Sequence, residues 1–178
     1  MYIQKLGGPM SLRPLINNLF LALTVVFSGS AFALPTDRDE PIYVEADSAN
    51  IDEAKGVTRY TGDVVITQGS MVLKGDTVDL LRGKDDTINQ IISKGAPAYF
   101  EQRPQLDQEI TYATGSKLDY TVSSQLLLIT GDAKVTQGGD EFTGAKINYD
   151  MANSKVKAFS SESGSQRVKM VLQPKKDN

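Results

Sequence analysis

Apolar and polar residues alternate along most of this chain, and that period of two constrains the fold more than any other feature. Leu118 and Tyr120 alternate with polar neighbours, and so do Ala133 and Val135. Such alternation is typical of strands with one face against a core and the other in water. Turn-forming sequences separate these segments at 55–56, 68–70, 82–86, 123–124, 138–140 and 152–154. The pattern predicts an all-β sandwich, jelly roll or barrel of stacked antiparallel strands.

A ten-residue element occurs twice, 69 positions apart, at Tyr60–Gly69 and Ile129–Gly138, with six of the ten positions identical. The same shift carries Gly75 onto Gly144, and a degenerate third copy lies at 95–102. A unit this short cannot bury its apolar face alone. We therefore expect the repeats to stack along one shared core.

The first 33 residues have the pattern of a secretory signal. Two basic residues, Lys5 and Arg13, precede an apolar run at 15–27. The run is followed by Ala31-Phe32-Ala33, a small-x-small cleavage sequence. The run is shorter than the roughly 20 residues that cross a membrane, although a membrane anchor is the alternative. We expect cleavage after Ala33, export of the remaining chain, one domain at 34–172 and a polar tail at 173–178. Met10 is an alternative start.

The composition excludes several classes of chemistry. The chain has no His and no Cys, so the usual zinc ligands, His- or Cys-dependent nucleophilic catalysis and disulfides are all excluded. It has no Gly-rich loop followed by Lys-Ser or Lys-Thr, the sequence typical of nucleotide hydrolysis. Beyond residue 33, 17 basic residues stand against 22 acidic ones, which disfavours a nucleic-acid partner. We expect no cofactor.

The carboxylates are the remaining candidates for catalysis or metal binding. Two facing carboxylates could serve an envelope hydrolase, but the spacing selects no pair. Asp79 with Asp85 and Asp86 could bind a hard cation, although no loop resembles a known calcium loop. Turn formation explains most of these residues. We expect neither an enzyme nor a metal site.

The alternation places a set of apolar residues on the inner face of the strands. They form either a solid core or an apolar groove that holds acyl chains, and the pattern is the same for both. The candidate lipid-binding residues are Ile42, Val44, Val64, Ile66, Leu80, Phe100, Leu118, Tyr120, Val122, Val135, Phe142 and Tyr149.

The first and last strands of an unclosed sheet expose unpaired backbone groups, and the segments 41–46 and 167–172 are the candidates here. Either can add a strand from another molecule, unless Pro41 and the flanking basic residues protect the edge. First-to-last contact would extend into filaments. The candidate edge residues are Ile42, Val44, Val168, Met170 and Leu172. The polar stretch 101–111, which contains Pro104, is expected to be an exposed loop.

Several of these segments, taken in order, resemble one known family. Pro41–Asp47, the element Tyr60–Gly69, Lys94–Phe100 and the stretch from Ile129 to Tyr149 are similar to the LptA, or OstA-like, family of periplasmic lipopolysaccharide-transport proteins. The resemblance covers nearly all of residues 41–172 and follows a matching signal sequence.

The resemblance implies a twisted β-jelly roll, open at both ends, with an apolar interior. It implies a non-enzymatic carrier that binds the lipid A moiety of lipopolysaccharide and bridges the inner and outer membranes. The implied partners are an inner-membrane LptC-like protein, an outer-membrane LptD-like protein and further copies joined head to tail. The alternative is an envelope scaffold of the same fold, with a solid core and partners joined by edge-strand addition.

Overall fold

The computed structural model describes residues 37–103 and 108–174, and their regular structure is almost entirely β-strand. A single 3₁₀ turn at Asp37–Asp39 precedes the first strand. The ten strands are β1 (Tyr43–Glu45), β2 (Ser48–Asp52), β3 (Val57–Gln68), β4 (Met71–Arg82), β5 (Ile88–Gln102), β6 (Thr111–Thr121), β7 (Leu126–Gln137), β8 (Asp140–Asp150), β9 (Lys155–Phe159) and β10 (Lys169–Val171). The all-β prediction is confirmed.

The strands form one antiparallel sheet that follows the chain. The order is β1-β3-β4-β5-β6-β7-β8-β10, while β2 also pairs with β3 and β9 also pairs with β8. At each end of the sheet, two short strands therefore pair with different halves of the same long strand. The sheet does not close on itself, as expected for a jelly roll that is open at both ends.

A line of bulges crosses the six long strands near their middles. The register shifts between Thr61 and Val64 in β3 and between Thr130 and Ala133 in β7. Gly62 and Gly131 occupy these bulges with φ of 85° and 74°. Glycine adopts such values at little cost, and a bulge bends its strand. The repeated Gly-Asp sequence thus marks the bend of the sheet.

The bulge line divides the sheet into two walls. Wall A contains β1, β10 and residues 64–68, 71–75, 98–102, 111–115, 133–137 and 140–144. Wall B contains β2, β9 and residues 57–61, 77–82, 88–94, 117–121, 126–130 and 146–150. The inner faces of the two walls contribute to one buried cluster. The side opposite the bulge line, where the strand ends of both walls meet, is called the seam below.

The sequence repeat is also a structural repeat. The bounds of β7 lie 69 positions after those of β3. The Gln68 side-chain amide donates to the Glu40 carbonyl at 3.0 Å, and Gln137 donates to the Glu109 carbonyl at 3.4 Å, again 69 positions on. In both repeats, therefore, the glutamine joins the end of its strand to the segment before a paired strand: β1 for β3, and β6 for β7.

The predicted turns are confirmed, but the predicted loop at 101–111 is too long. All six turn sequences lie at junctions between consecutive strands, although Gln68, Arg82 and Asp140 belong to the adjoining strands. Glu101 and Gln102 still belong to β5, and Thr111 begins β6 with no exposed surface. Thr111 is buried because it is the first inward-facing residue in the alternating pattern of β6. The predicted signal sequence, its cleavage site and Pro104 lie outside the described residues.

The described part of the chain contains no helix long and apolar enough to span a membrane. The polar segment after β10 is anchored at its start. The Gln173 backbone amide donates to Asp140 at 2.7 Å, and its side-chain amide donates to the Gly139 carbonyl at 3.2 Å.

Candidate functional site

The interior between the walls contains all twelve predicted interior residues. Eight are buried, with 5% exposure or less: Val64, Ile66, Leu80, Phe100, Leu118, Tyr120, Val135 and Tyr149. The other four are half-buried and pack against the same cluster: Ile42, Val44, Val122 and Phe142. Their position inside the fold agrees with the alternation. Their role in lipid binding stays a prediction.

Other interior residues escaped the sequence analysis. Those beyond the predicted set include Met71, Leu73, Ile91, Ala113, Leu127, Ile129 and Met151. Most follow the alternation of their own strands, which was the available signal. Met151 lies in the turn after β8, where no periodicity could identify it.

The two walls are in contact in this structure. The rings of Phe100 in wall A and Tyr120 in wall B lie 5.4 Å apart between centroids and are inclined by 54°. Phe100, Ile66 and Leu118 expose none of their surface, so no water-sized space adjoins them. An acyl chain therefore has no room beside these three side chains unless the walls separate. Among the described strands, no ladder joins wall A to wall B across the seam, so separation breaks no sheet hydrogen bond.

The interior is open at both ends of the roll. Ile51 in β2 faces the same side as the interior residue Thr58, yet it is 65% exposed. At the other end Met170 in β10 pairs with Phe142 and is 54% exposed. A cavity of about 450 Å³ lies beside Ile51, Thr58 and Tyr60. Inward-facing apolar surface thus reaches solvent at each end.

The predicted edge residues lie at the two ends of the sheet. Val44 is in β1 and Met170 is in β10, while Ile42, Val168 and Leu172 directly flank these strands. The sequence analysis missed that β2 and β9 share the ends with them. Their partner contacts stay predictions.

The carboxylates proposed for a cation do not converge. Asp79 accepts a double hydrogen bond from Arg59, with N–O distances of 2.6 and 2.8 Å, and this contact lowers the Asp79 pKa. Asp86 pairs with Arg82 at 3.0 Å, whereas Asp85 accepts from Thr87. No cluster of metal-ligating side chains occurs within residues 37–103 and 108–174. Each carboxylate therefore has a structural partner of its own.

Comparison with known proteins identifies the family. Residues 43–155 match the family described as LptA/(LptD N-terminal domain) LPS transport protein. The chain belongs to this LptA family. The family predicted from the sequence motifs is thereby confirmed.

Members of the LptA family from three organisms show how far the similarity extends. The chain is 45% identical over 169 residues to the lipopolysaccharide export system protein LptH of Pseudomonas aeruginosa, covering 92% of this chain and 94% of LptH. It is 36% identical to LptA of Haemophilus influenzae, covering 88% of this chain and 90% of the relative. It is 31% identical to LptA of Escherichia coli K12, covering 88% and 84%.

A solved structure of the LptA family has the same fold. It is the crystal structure of LptH, described as the LptA-homologous periplasmic component of the lipopolysaccharide transport device of P. aeruginosa. The TM-score is 0.71 and the identity is 43%, covering 79% of this chain and all of the other.

Proposed function

We propose that this protein is a periplasmic, non-enzymatic carrier of lipopolysaccharide that moves the lipid from the inner to the outer membrane. The observation that carries the proposal is an apolar interior between two walls that share no ladder at the seam and stay open at both ends. Membership of an LPS transport family and relatives named as export proteins support the same function.

Lipid binding in this interior exchanges apolar contacts between the walls for apolar contacts with an acyl chain. Separating the walls exposes apolar side chains such as Phe100 and Leu118, and an inserted acyl chain covers them again. Each buried methylene of the acyl chain contributes roughly 0.8 kcal/mol. The exchange can therefore be favourable without chemistry, while the sugar and phosphates stay in water outside the seam.

The open ends support a bridge that assembles end to end. Ile51 and Met170 face inward at opposite ends of the sheet. Both would be covered when β9 and β10 of one molecule contact β1 and β2 of another. Such a contact is heterologous and can repeat. On this proposal the two ends of the assembly meet an inner-membrane LptC-like protein and an outer-membrane LptD-like protein.

A scaffold of the same fold is the second candidate, and the complete burial of Phe100, Ile66 and Leu118 is the observation that favours it. In that case the interior is a solid core, and partners join only through β1, β2, β9 and β10.

A single tryptophan distinguishes the two, because the chain has none. Tyr120→Trp places a fluorophore in the interior, and Tyr112→Trp places one on the outer face, where Tyr112 is 41% exposed. A carrier predicts that added lipopolysaccharide shifts or quenches the emission at position 120 and leaves position 112 unchanged. A folded Tyr120→Trp protein that does not respond contradicts the carrier and favours the scaffold.

A further inference from the structure

A short chain of hydrogen bonds crosses the seam near the C-terminal end of the roll. The Tyr149 hydroxyl of wall B donates to Gln137 Oε1 at 3.2 Å, and it lies 3.3 Å from Thr111 Oγ1. Thr111 and Gln137 are direct partners at the edge of wall A. Because the tyrosine proton is directed to Gln137, the Thr111 hydroxyl donates to the tyrosine oxygen. We call this chain the Tyr149 latch.

The two hydroxyls of the latch are buried, but their hydrogen bonds are weak. Thr111 and Tyr149 are 0% and 1% exposed, so both hydroxyls would lose hydrogen-bond partners if the walls moved slightly apart. Both distances exceed the roughly 2.7–2.8 Å typical of a strong O–H···O bond. Such a chain holds the seam closed without preventing its opening.

The first repeat cannot form the same latch. The residue 69 positions before Tyr149 is Leu80, which occupies the equivalent inner place in β4 and has no hydroxyl. Gln68 makes the same bond to the Glu40 carbonyl that Gln137 makes to Glu109, so the two repeats differ here at Leu80 and Tyr149. At this level the first repeat therefore lacks the hydroxyl with which Tyr149 reaches the opposite wall in the second repeat.

We propose that the Tyr149 latch controls the opening of the seam through which an acylated lipid enters sideways, and that the seam opens first in the N-terminal repeat. This inference rests on the proposed carrier function. Tyr149, Thr111 and Gln137 act as positioning residues that hold the walls together, and their polar atoms are not required to touch the lipid.

Spin labels at matched positions report the opening directly, since the chain has no cysteine of its own. Glu109→Cys with Asn153→Cys spans the seam at the latch. Glu40→Cys with Lys84→Cys spans the equivalent place 69 residues earlier. All four residues are exposed. We expect a broader distance distribution for the 40/84 pair than for the 109/153 pair.

Removal of one hydroxyl should abolish this difference. Tyr149→Phe keeps the ring and is expected to broaden the 109/153 distribution while leaving the 40/84 distribution unchanged. Thr111→Val removes only the bond between Thr111 and Tyr149 and leaves the bond from Tyr149 to Gln137, so we expect a smaller broadening of the same distribution. The double variant should behave like Tyr149→Phe, because that substitution alone already removes both bonds. Tyr112→Phe on the outer face is the control.

The rate of lipid uptake is the second measurement. In the Tyr120→Trp background, Tyr149→Phe should accelerate the response to lipopolysaccharide about tenfold, the factor expected for two weak hydrogen bonds. An unchanged rate, or unchanged 109/153 distances in both single variants, overturns the latch. If the background protein never responds to lipid, the carrier function fails instead, and entry through the latch fails with it. The distance measurements then decide separately whether Tyr149 controls the seam.

Discussion

The rings of Phe100 and Tyr120 lie 5.4 Å apart although the two residues belong to different walls. Phe100 pairs with Leu73 and Ala113 in wall A, whereas Tyr120 pairs with Ile91 and Leu127 in wall B. Their contact joins the two faces of one bent sheet into a single interior. It also places an aromatic pair where a lipid would have to part the walls.

Truncation of Phe100 should therefore cost much of the stability of the fold. We expect Phe100→Ala to lower the free energy of unfolding by about 3–5 kcal/mol, since it removes a fully buried ring and leaves a cavity. Tyr112→Ala, on the outer face of the adjacent strand, should cost much less. Urea denaturation of both variants measures the difference, and equal losses would show that Phe100 is not part of the packed interior.

Gly75 lies at the bulge line, and we expect no side chain to be accommodated there. A Cβ there would lie 2.2 Å from Ser93 Oγ and 2.7 Å from the Lys94 carbonyl oxygen. We expect Gly75→Ala to lower the free energy of unfolding by about 3 kcal/mol. Gly164→Ala has no neighbour within 4 Å and adds only the cost of its φ of 70°, about 1 kcal/mol. Thermal denaturation that ranked the two in the opposite order would contradict the assigned bend.

The ion pair between Arg59 and Asp79 predicts a pH dependence. The hydrogen bond from Arg59 lowers the pKa of Asp79 in the folded protein, so the pair stabilises the fold above the unfolded pKa of roughly 3.9. That contribution is lost as the pH falls through the lower folded value. Asp79→Asn should be less stable than the unaltered protein at pH 7, and the difference should shrink in acid. A difference in melting temperature that is constant from pH 7 to pH 2 would contradict this.

The end surface at β10 offers a matched pair of substitutions. Met170 faces inward and Val171 faces outward, and each is 54% exposed. If the open apolar end carries self-association, Met170→Asp should weaken it about tenfold or more, a loss of roughly 1.4 kcal/mol. Val171→Asp should have less effect. Sedimentation equilibrium measures both, and equal weakening would assign the contact to the strand backbone instead.

The alternation of the sequence was sufficient to predict the all-β class and the inner face of the strands. Successive side chains of a strand point to opposite faces, so a strand with a period of two has one apolar face that must be covered. That face carries Phe100, Tyr120 and Tyr149, which are accordingly buried. The 69-residue repeat likewise anticipated that β3 and β7 are equivalent. These features depend on local pattern, and local pattern is visible in a sequence.

The features that depend on contacts between distant strands were not predictable. A Gly-Asp pair is compatible with a turn or a bulge, and only the register of β3 against β4 shows that it bends the sheet. Thr111 was assigned to a loop because the polar residues before it conceal the start of β6. Its contact with Tyr149 requires both walls to be folded, so no spacing along the chain could indicate the latch.

Photo-crosslinking tests the central claim, that the interior accepts lipid, most directly. A photoreactive residue would replace Phe100, Tyr120 or, as the outward control, Thr67, one at a time, in protein that begins at residue 34. Each folded variant would be irradiated with lipopolysaccharide. The account predicts adducts at positions 100 and 120 and none at 67. Adducts absent from both interior positions, or equally strong at position 67, would contradict it.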